Sequence, residues 1–198
     1  MRIRIAVAAL ASAAALAVPL LPTTAQASSA PSASTGDRLT FAQAAARNAG
    51  QTPGLTAGYV RFRSLYGPTP GQCLDADANN GGNGTKVQVW GCNGTTQQEW
   101  YSYDDYSLES ARFPGMCLDA DTNGGGNNGT RLQLWQCNGT SQQKWFLRAN
   151  DLAIYNQRFN NNLNIVVDRD TNTPGDGAQV QLWQKNFQSQ QWWQVTGA

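Results

Sequence analysis

The chain has 198 residues, room for one domain with flanking segments. Its formal net charge is +1 and only 14% of residues are charged, so there is no basic stripe for nucleic acid and no acidic solvating block. Histidine is absent, which excludes Ser-His-Asp and Cys-His catalysis and imidazole-ligated zinc, while seven Trp among many Gly, Asn, Gln and Thr suggest a loop-rich β protein with a neutral, aromatic surface.

Residues 1–27 read as a secretory signal peptide. Arg2 and Arg4 form a basic start, Ile5 to Leu21 an apolar run broken by Pro19, and Ala25 to Ala27 a small-x-small cleavage site. No later segment is expected to span a bilayer, so the mature chain is expected to be secreted and extracellular, where disulfides persist. Residues 28–58 are rich in Ser, Ala and Pro and read as a linker. Within it "DRLTFAQAAARNAG" predicts one short helix from near Asp37 to Gly50. Its apolar face is little more than Leu39, Phe41 and alanines; the alternative reading is a docking segment for a secreted partner protein.

From residue 59 to 198 the chain is built of repeats. "CLDADANNGGNGTKVQVWGCNGTTQQEW" starts at Cys73 and "CLDADTNGGGNNGTRLQLWQCNGTSQQKW" at Cys117. A third copy, "VVDRDTNTPGDGAQVQLWQKNFQSQQWW", starts at Val166. Trp90, Trp135 and Trp183 align, as do Trp100, Trp145 and Trp193. In "KVQVW", "RLQLW" and "QVQLW" the aliphatic pair alternates with Gln and Trp, which predicts strands with the Val and Leu residues facing a core and Gln and Trp facing outward. Short strands broken by Asn-Gly turns predict a closed, all-β antiparallel architecture.

Cys73 and Cys92 lie in copy one, Cys117 and Cys137 in copy two; copy three has Val166 and Lys185 at the matching positions. Both cysteines are lost together, which predicts the pairs Cys73–Cys92 and Cys117–Cys137. The alternative, a metal site, lacks C-x-x-C spacing and histidine.

"DADTNG" at Asp119 looks like half of a calcium loop. Such a loop needs a bidentate Glu at its twelfth position, which here is Thr130; counting from Asp75 it is Lys86, and from Asp168 it is Gln179. None closes a cage. Asp75 instead shares a strand face with Cys73, so Asp75, Gln88 and Trp90 converge on an outer face, joined by Asn93 and Gln97. A carboxylate accepts from two vicinal hydroxyls, amides both donate and accept, and a Trp face covers the C–H face of a pyranose. This is sugar-site chemistry.

The C-L-D start, the V-Q-L-W centre and the Q-x-W ends at Gln98–Trp100, Gln143–Trp145 and Gln191–Trp193 resemble the ricin B-chain-like lectins. The resemblance covers about 140 residues and implies a β-trefoil of three four-stranded units, each with a potential sugar pocket. In that pattern the early Asp binds hydroxyls, the aromatic stacks, and the Asn or Gln before Q-x-W assists. Carried onto this chain, copy one supplies Asp75, Gln88, Trp90, Asn93, Gln97 and Gln98. Copy two supplies Asp119, Gln133, Trp135, Asn138, Gln142 and Gln143, and copy three Asp168, Gln181, Trp183, Asn186, Gln190 and Gln191. Lacking its disulfide, copy three is expected to have a looser loop and a weaker pocket.

Structural readings stand beside these. Gln98, Gln143 and Gln191 share a face with the Trp two residues on, Trp100, Trp145 and Trp193 match core positions of the family, and Asp77, Asp121 and Asp170 suit loop bracing. The "NGT" triplets at Asn83, Asn93, Asn128 and Asn138 match the glycosylation pattern, but Asn-Gly is also a turn former and reads as turns here.

The expected function is a secreted, non-catalytic lectin binding multivalent glycans of the galactose, arabinose or xylose type, with no cofactor. One rival is a glycosidase using Asp75 and Asp77, for which the exposed loop offers no cleft. The other is a protein-interaction or targeting subunit that delivers a separately encoded toxin or enzyme.

Overall fold

The computed structural model describes residues 38–51, 57–67, 71–148, 151–159 and 164–198; the export signal expected over 1–27 lies outside them. In chain order the elements are β1 (Arg38–Leu39), α1 (Phe41–Asn48), β2 (Gly58–Ser64), β3 (Gln72–Ala76), β4 (Thr85–Gly91), β5 (Trp100–Ser102), β6 (Leu108–Ser110), β7 (Met116–Ala120), β8 (Thr130–Gln136), β9 (Trp145–Arg148), β10 (Ile154–Asn156), β11 (Ile165–Arg169), β12 (Val180–Gln184) and β13 (Trp193–Gly197).

The repeats fold as three hairpins in one register. Asp75 stands opposite Gln88 on β3–β4, Asp119 opposite Gln133 on β7–β8, and Asp168 opposite Gln181 on β11–β12. The hairpins meet around a pseudo-threefold axis: β4 pairs β8, β8 pairs β12, and a Gln88–Gln179 bridge joins β12 back to β4. Strands β2, β5, β6, β9, β10 and β13 supply the barrel walls. The fold is a β-trefoil. Val87, Val89, Leu132, Leu134, Val180 and Leu182 are buried in the shared core, as the alternation predicts. Trp100, Trp145 and Trp193 are buried there too, each donating its indole N–H to the carbonyl of Leu74, Leu118 or Val167 at 3.3, 2.9 and 3.2 Å. A buried indole needs such a partner, so these Trp fill the core and pin a hairpin at once.

A cyclic set of latches joins the copies. Asn83 Oδ1 accepts from Gln136 N (2.7 Å), Asn128 Oδ1 from Gln184 N (2.6 Å), and Asp176 Oδ1 from Gly91 N (2.8 Å). The glycine after each latch residue holds the left-handed backbone that the turn requires: Gly84 at φ 83°, Gly129 at 90° and Gly177 at 85°.

The segment read as a linker differs from expectation. Residues 38–48 are part of the trefoil unit: β1 pairs β9, and α1 packs on β13, β2 and β9. The helix starts later than Asp37 because Thr40 and Gln43 form a capping box, with Thr40 Oγ1 accepting from Gln43 N (3.2 Å) and Gln43 Oε1 from Thr40 N (2.9 Å). Its alanines let the helix axis approach the sheet closely, and Phe41 enters the core edge-on to Phe62 at 4.8 Å.

Both expected disulfides are present, Cys73–Cys92 and Cys117–Cys137, closing separations of 19 and 20 residues. Replacing Cys117 and Cys137 by serine is expected to cost about 3 kcal/mol of unfolding free energy by loss of chain constraint. Urea denaturation checks this, and an unshifted midpoint contradicts it. Copy three is not left loose at this corner. Lys185 Nζ donates to Asp151 Oδ2 (2.6 Å) and Tyr155 Oη (2.7 Å), and Val166 packs with Phe146, Ala153 and Tyr155. An ion pair and a small apolar cluster replace the covalent link.

Candidate functional site

Each hairpin places an aspartate at the floor of a shallow site beside a Trp. Asp75 Oδ1 accepts from Gln88 Nε2 (3.3 Å) and Oδ2 from Gln98 Nε2 (3.1 Å). Copy two repeats this with Asp119, Gln133 (3.2 Å) and Gln143 (3.1 Å). Copy three repeats it with Asp168, Gln181 (3.3 Å) and Gln191 (3.0 Å). The three carboxylates are only 2, 3 and 4% exposed, so they form the base of the sites and not their rims. Two of about four acceptor positions on each carboxylate are used, and two remain. Trp90 and Trp135 stand beside them 43 and 39% exposed, and Trp183 is half-buried.

For the second glutamines the sequence carries two readings, ligand contact and structural support. The structure places Gln98, Gln143 and Gln191 behind the aspartates, fully buried. Each also donates to a strand-end carbonyl, of Gly91 (3.1 Å), Gln136 (3.0 Å) or Gln184 (2.9 Å). Each accepts from a backbone N–H, of Asn93 (2.9 Å), Asn138 (2.9 Å) or Asn186 (2.8 Å). They position the acid and the following loop and do not face a ligand. The cause is the short 3-10 turn that carries them, which points the Gln inward and sends the Trp two residues on into the core.

Gln88, Gln133 and Gln181 share the outer strand face with the Trp residues but are also buried. At Gln88 the neighbouring copy stands close: a Cβ at Gly177 would lie 3.9 Å from Gln88 Oε1 and 4.0 Å from Trp90. Asn93 and Asn138 are exposed, and their side-chain carbonyls close turns onto Thr95 N (3.0 Å) and Thr140 N (3.1 Å); Asn186 does the same to Gln188 N (3.0 Å). Their Nδ2 groups make no hydrogen bond among the described residues. Gln97, Gln142 and Gln190 are half-buried at the site margin, and Gln142 Oε1 is buried without a hydrogen-bond partner.

Asp77, Asp121 and Asp170 brace loops, accepting from Asn79 N (3.0 Å), Asn123 N (2.9 Å) and Asn172 N (2.9 Å). Asp121 also takes Arg131 at 3.3 Å. The two aspartates of "DAD" therefore serve different partners, and among the described residues no three acidic or thiol groups cluster for a metal ion.

Burial raises the carboxyls of Asp75, Asp119 and Asp168 above their ordinary value of 3.8, and the paired glutamine amides pull back without cancelling it. Like charges add to the rise: Asp77 and Asp176 on Asp75, Asp121 on Asp119, and Asp170 on Asp168, where Arg169 opposes it.

A trefoil with one aspartate–tryptophan site per copy has the architecture of a lectin. The chain belongs to the family described as the ricin-type beta-trefoil lectin domain, which matches residues 61–193. That family is carbohydrate-binding and in general non-catalytic. No curated protein sequence matches the chain significantly. Among solved structures, the designed 3-fold symmetric protein ThreeFoil is 18% identical with a TM-score of 0.59, over 71% of this chain and 99% of that one. The Vibrio vulnificus hemolysin/cytolysin β-trefoil lectin, with N-acetyl-D-lactosamine bound, is 23% identical with a TM-score of 0.56, over 71% and 95%. The C-half of the earthworm R-type lectin, in complex with GalNAc, is 16% identical with a TM-score of 0.57, over 71% and 99%. At these identities the likeness establishes the fold.

Proposed function

We propose that the mature chain is a secreted, non-catalytic lectin whose three aspartate–tryptophan sites bind multivalent glycans or polysaccharides of the galactose, arabinose or xylose type. The observation that carries this is the threefold recurrence of one arrangement: a carboxylate bracketed by two glutamine amides beside a Trp on the outer strand face, exposed in copies one and two and half-buried in copy three. Structural neighbours holding GalNAc and N-acetyl-D-lactosamine support the galactose class. Two disulfides suit an oxidising compartment. A glycan and polysaccharide array with residues 28–198 is the test. Signal on one class names the ligand; silence from a folded, oxidised sample counts against all three pockets.

Against the targeting-subunit alternative, Leu39, Phe41 and the helix alanines of the 28–58 segment are buried against the chain's own trefoil; residues 28–37 and 52–56 of that segment lie outside the described residues. A glycosidase would need Asp77 as a partner acid to Asp75, and Asp77 is committed to Asn79 in an exposed turn.

The raised carboxyls give a pH signature. Protonation removes an acceptor, so glycan retention should fall as pH drops through the raised values, above the ordinary 3.8. Folding responds with the opposite sign. These acids bind protons more readily folded than unfolded, so their contribution to stability grows as pH falls through the same window. Retention and melting temperature measured together should therefore move apart on mild acidification; parallel loss contradicts the assignment.

A further inference from the structure

The three copies meet at three junctions, and one is built differently. Each hairpin loop leans on an aromatic ring that introduces the next copy. Gly81 lies so close to Phe113 that a Cβ would stand 2.6 Å from the ring, and Gly126 lies on Phe159 with a Cβ distance of 2.4 Å. Both glycines stand two residues before a latch residue, Asn83 or Asn128. In copy three that position is Pro174, two before Asp176. Proline carries the Cβ that the other junctions exclude, and the facing ring is Tyr66. The residue after the hairpin aspartate also changes, from the buried Ala76 and Ala120 to Arg169. A cleft of about 410 Å³ occupies this junction, lined by Tyr66, Gln72, Arg169, Thr171, Pro174 and Asp176, among others.

Arg169 is 2% exposed, and its guanidinium lies 4.8 Å over the Tyr66 ring. Nε donates to Gln72 Oε1 (3.3 Å), Nη1 to the Asp170 carbonyl (2.8 Å) and Nη2 to the Gly175 carbonyl (3.3 Å). That uses three of five N–H donors. No ion pair among the described residues includes it. A buried guanidinium is costly unless its donors are met. Asp176 Oδ1 accepts from Gln72 Nε2 and Gly91 N, both at 2.8 Å, while Oδ2 takes no hydrogen bond among the described residues. The Gln72 amide thus links a base and an acid that line the same cleft. Gln72 alternates with Cys73 and Asp75 along β3, so the cleft lies on the opposite strand face from the Asp75–Trp90 site.

We propose that this junction is a fourth saccharide site, for a neutral sugar ring, in which one hydroxyl accepts from Arg169, a neighbouring hydroxyl donates to Asp176 Oδ2, and Tyr66 and Pro174 supply the apolar wall. An anionic sugar would gain Arg169 but face the Asp176 carboxylate. A hydroxyl, donor and acceptor at once, satisfies both groups. The site extends the lectin reading but uses no residue of the three aspartate–tryptophan pockets, so the two can fail separately.

Nitrogen-15 NMR titration of the mature chain with neutral xylo-, arabino- and galacto-oligosaccharides reads every site at once. The expected result is movement of the Tyr66, Gln72 and Gly175 amides on saccharide addition, with Asp176→Asn weakening that response about tenfold and leaving the saccharide-induced shifts of the Trp135 and Trp183 indoles unchanged. Asn is already the latch residue in copies one and two, so this variant keeps the fold. Arg169→Ala, which restores the residue of the other copies, should act alike; if it fails to fold, Asp176→Asn decides. Indole shifts without movement at Tyr66, Gln72 and Gly175 overturn the fourth site and leave the lectin reading standing. No shift anywhere overturns both. Tighter cleft binding by a uronic-acid oligosaccharide than by the neutral panel overturns the neutral assignment.

Discussion

Phe41→Ala is expected to lower the stability of the trefoil by about 3–5 kcal/mol, the range for emptying a buried phenylalanine site. Phe41 is fully buried, edge-on to Phe62, and shares its cluster with Val60, Trp193 and Val195. The cavity cannot close easily, because α1 is fixed at both ends. The Thr40–Gln43 box holds its start, and Asn48 Nδ2 donates to the Val195 carbonyl at 2.8 Å near its end. With a total stability of about 5–15 kcal/mol for a typical domain, the loss corresponds to a melting temperature lower by roughly 10 °C. Circular dichroism melts of the wild type and variant check this. Phe41 belongs to none of the three proposed sugar sites, so glycan binding well below the melting point should be unchanged. An unshifted melt would mean that the segment does not pack on the trefoil in solution.

That helix marks where sequence reading stops. Repeats, strand faces and both disulfides are legible because each depends on local periodicity or on three-way alignment, and the core Trp residues are legible through the family resemblance. The docking of α1 is not, because a face of one Phe and several alanines looks too thin to bury. What makes it bury is the small size of those alanines, which brings helix and sheet together and lets a single Phe reach the core. The burial of Gln88 is equally hidden: what covers it is Gly177, 89 residues later in the chain and brought there by the threefold closure. The sequence places Gln98 beside its Trp but not behind Asp75, since that depends on a 3-10 turn. Lys185 offers no sign that it replaces a disulfide until Asp151 and Tyr155 are seen beside it.

The geometry of the three acids yields the second large effect, and its design follows from the amides around them. Asp75→Ala would strand the Gln88 and Gln98 donors, at about 1–3 kcal/mol for each buried group left unpaired, and confuse binding with folding. Asn avoids this. Gln98 cannot turn its amide, because its Oε1 already accepts from Asn93 N, so it keeps donating, now to Asn Oδ1. Gln88 is free to turn and accept from Asn Nδ2. The substitution also removes a desolvated charge, so Asp75→Asn, Asp119→Asn and Asp168→Asn together should leave the melting temperature unchanged or raised. Binding should behave otherwise. A charge-assisted pair of hydroxyl bonds is worth about 1.5–3 kcal/mol, close to the whole of a millimolar site at about −4 kcal/mol. Each single variant should remove one binding equivalent for a monosaccharide and weaken polysaccharide retention. The triple variant should lose all three equivalents and with them the roughly 10²–10⁴ gain that linked sites provide. Affinity electrophoresis in polysaccharide gels, run beside thermal melts, reads both quantities. A triple variant that melts normally and is still retained would show that the glycan is held elsewhere than on these aspartates.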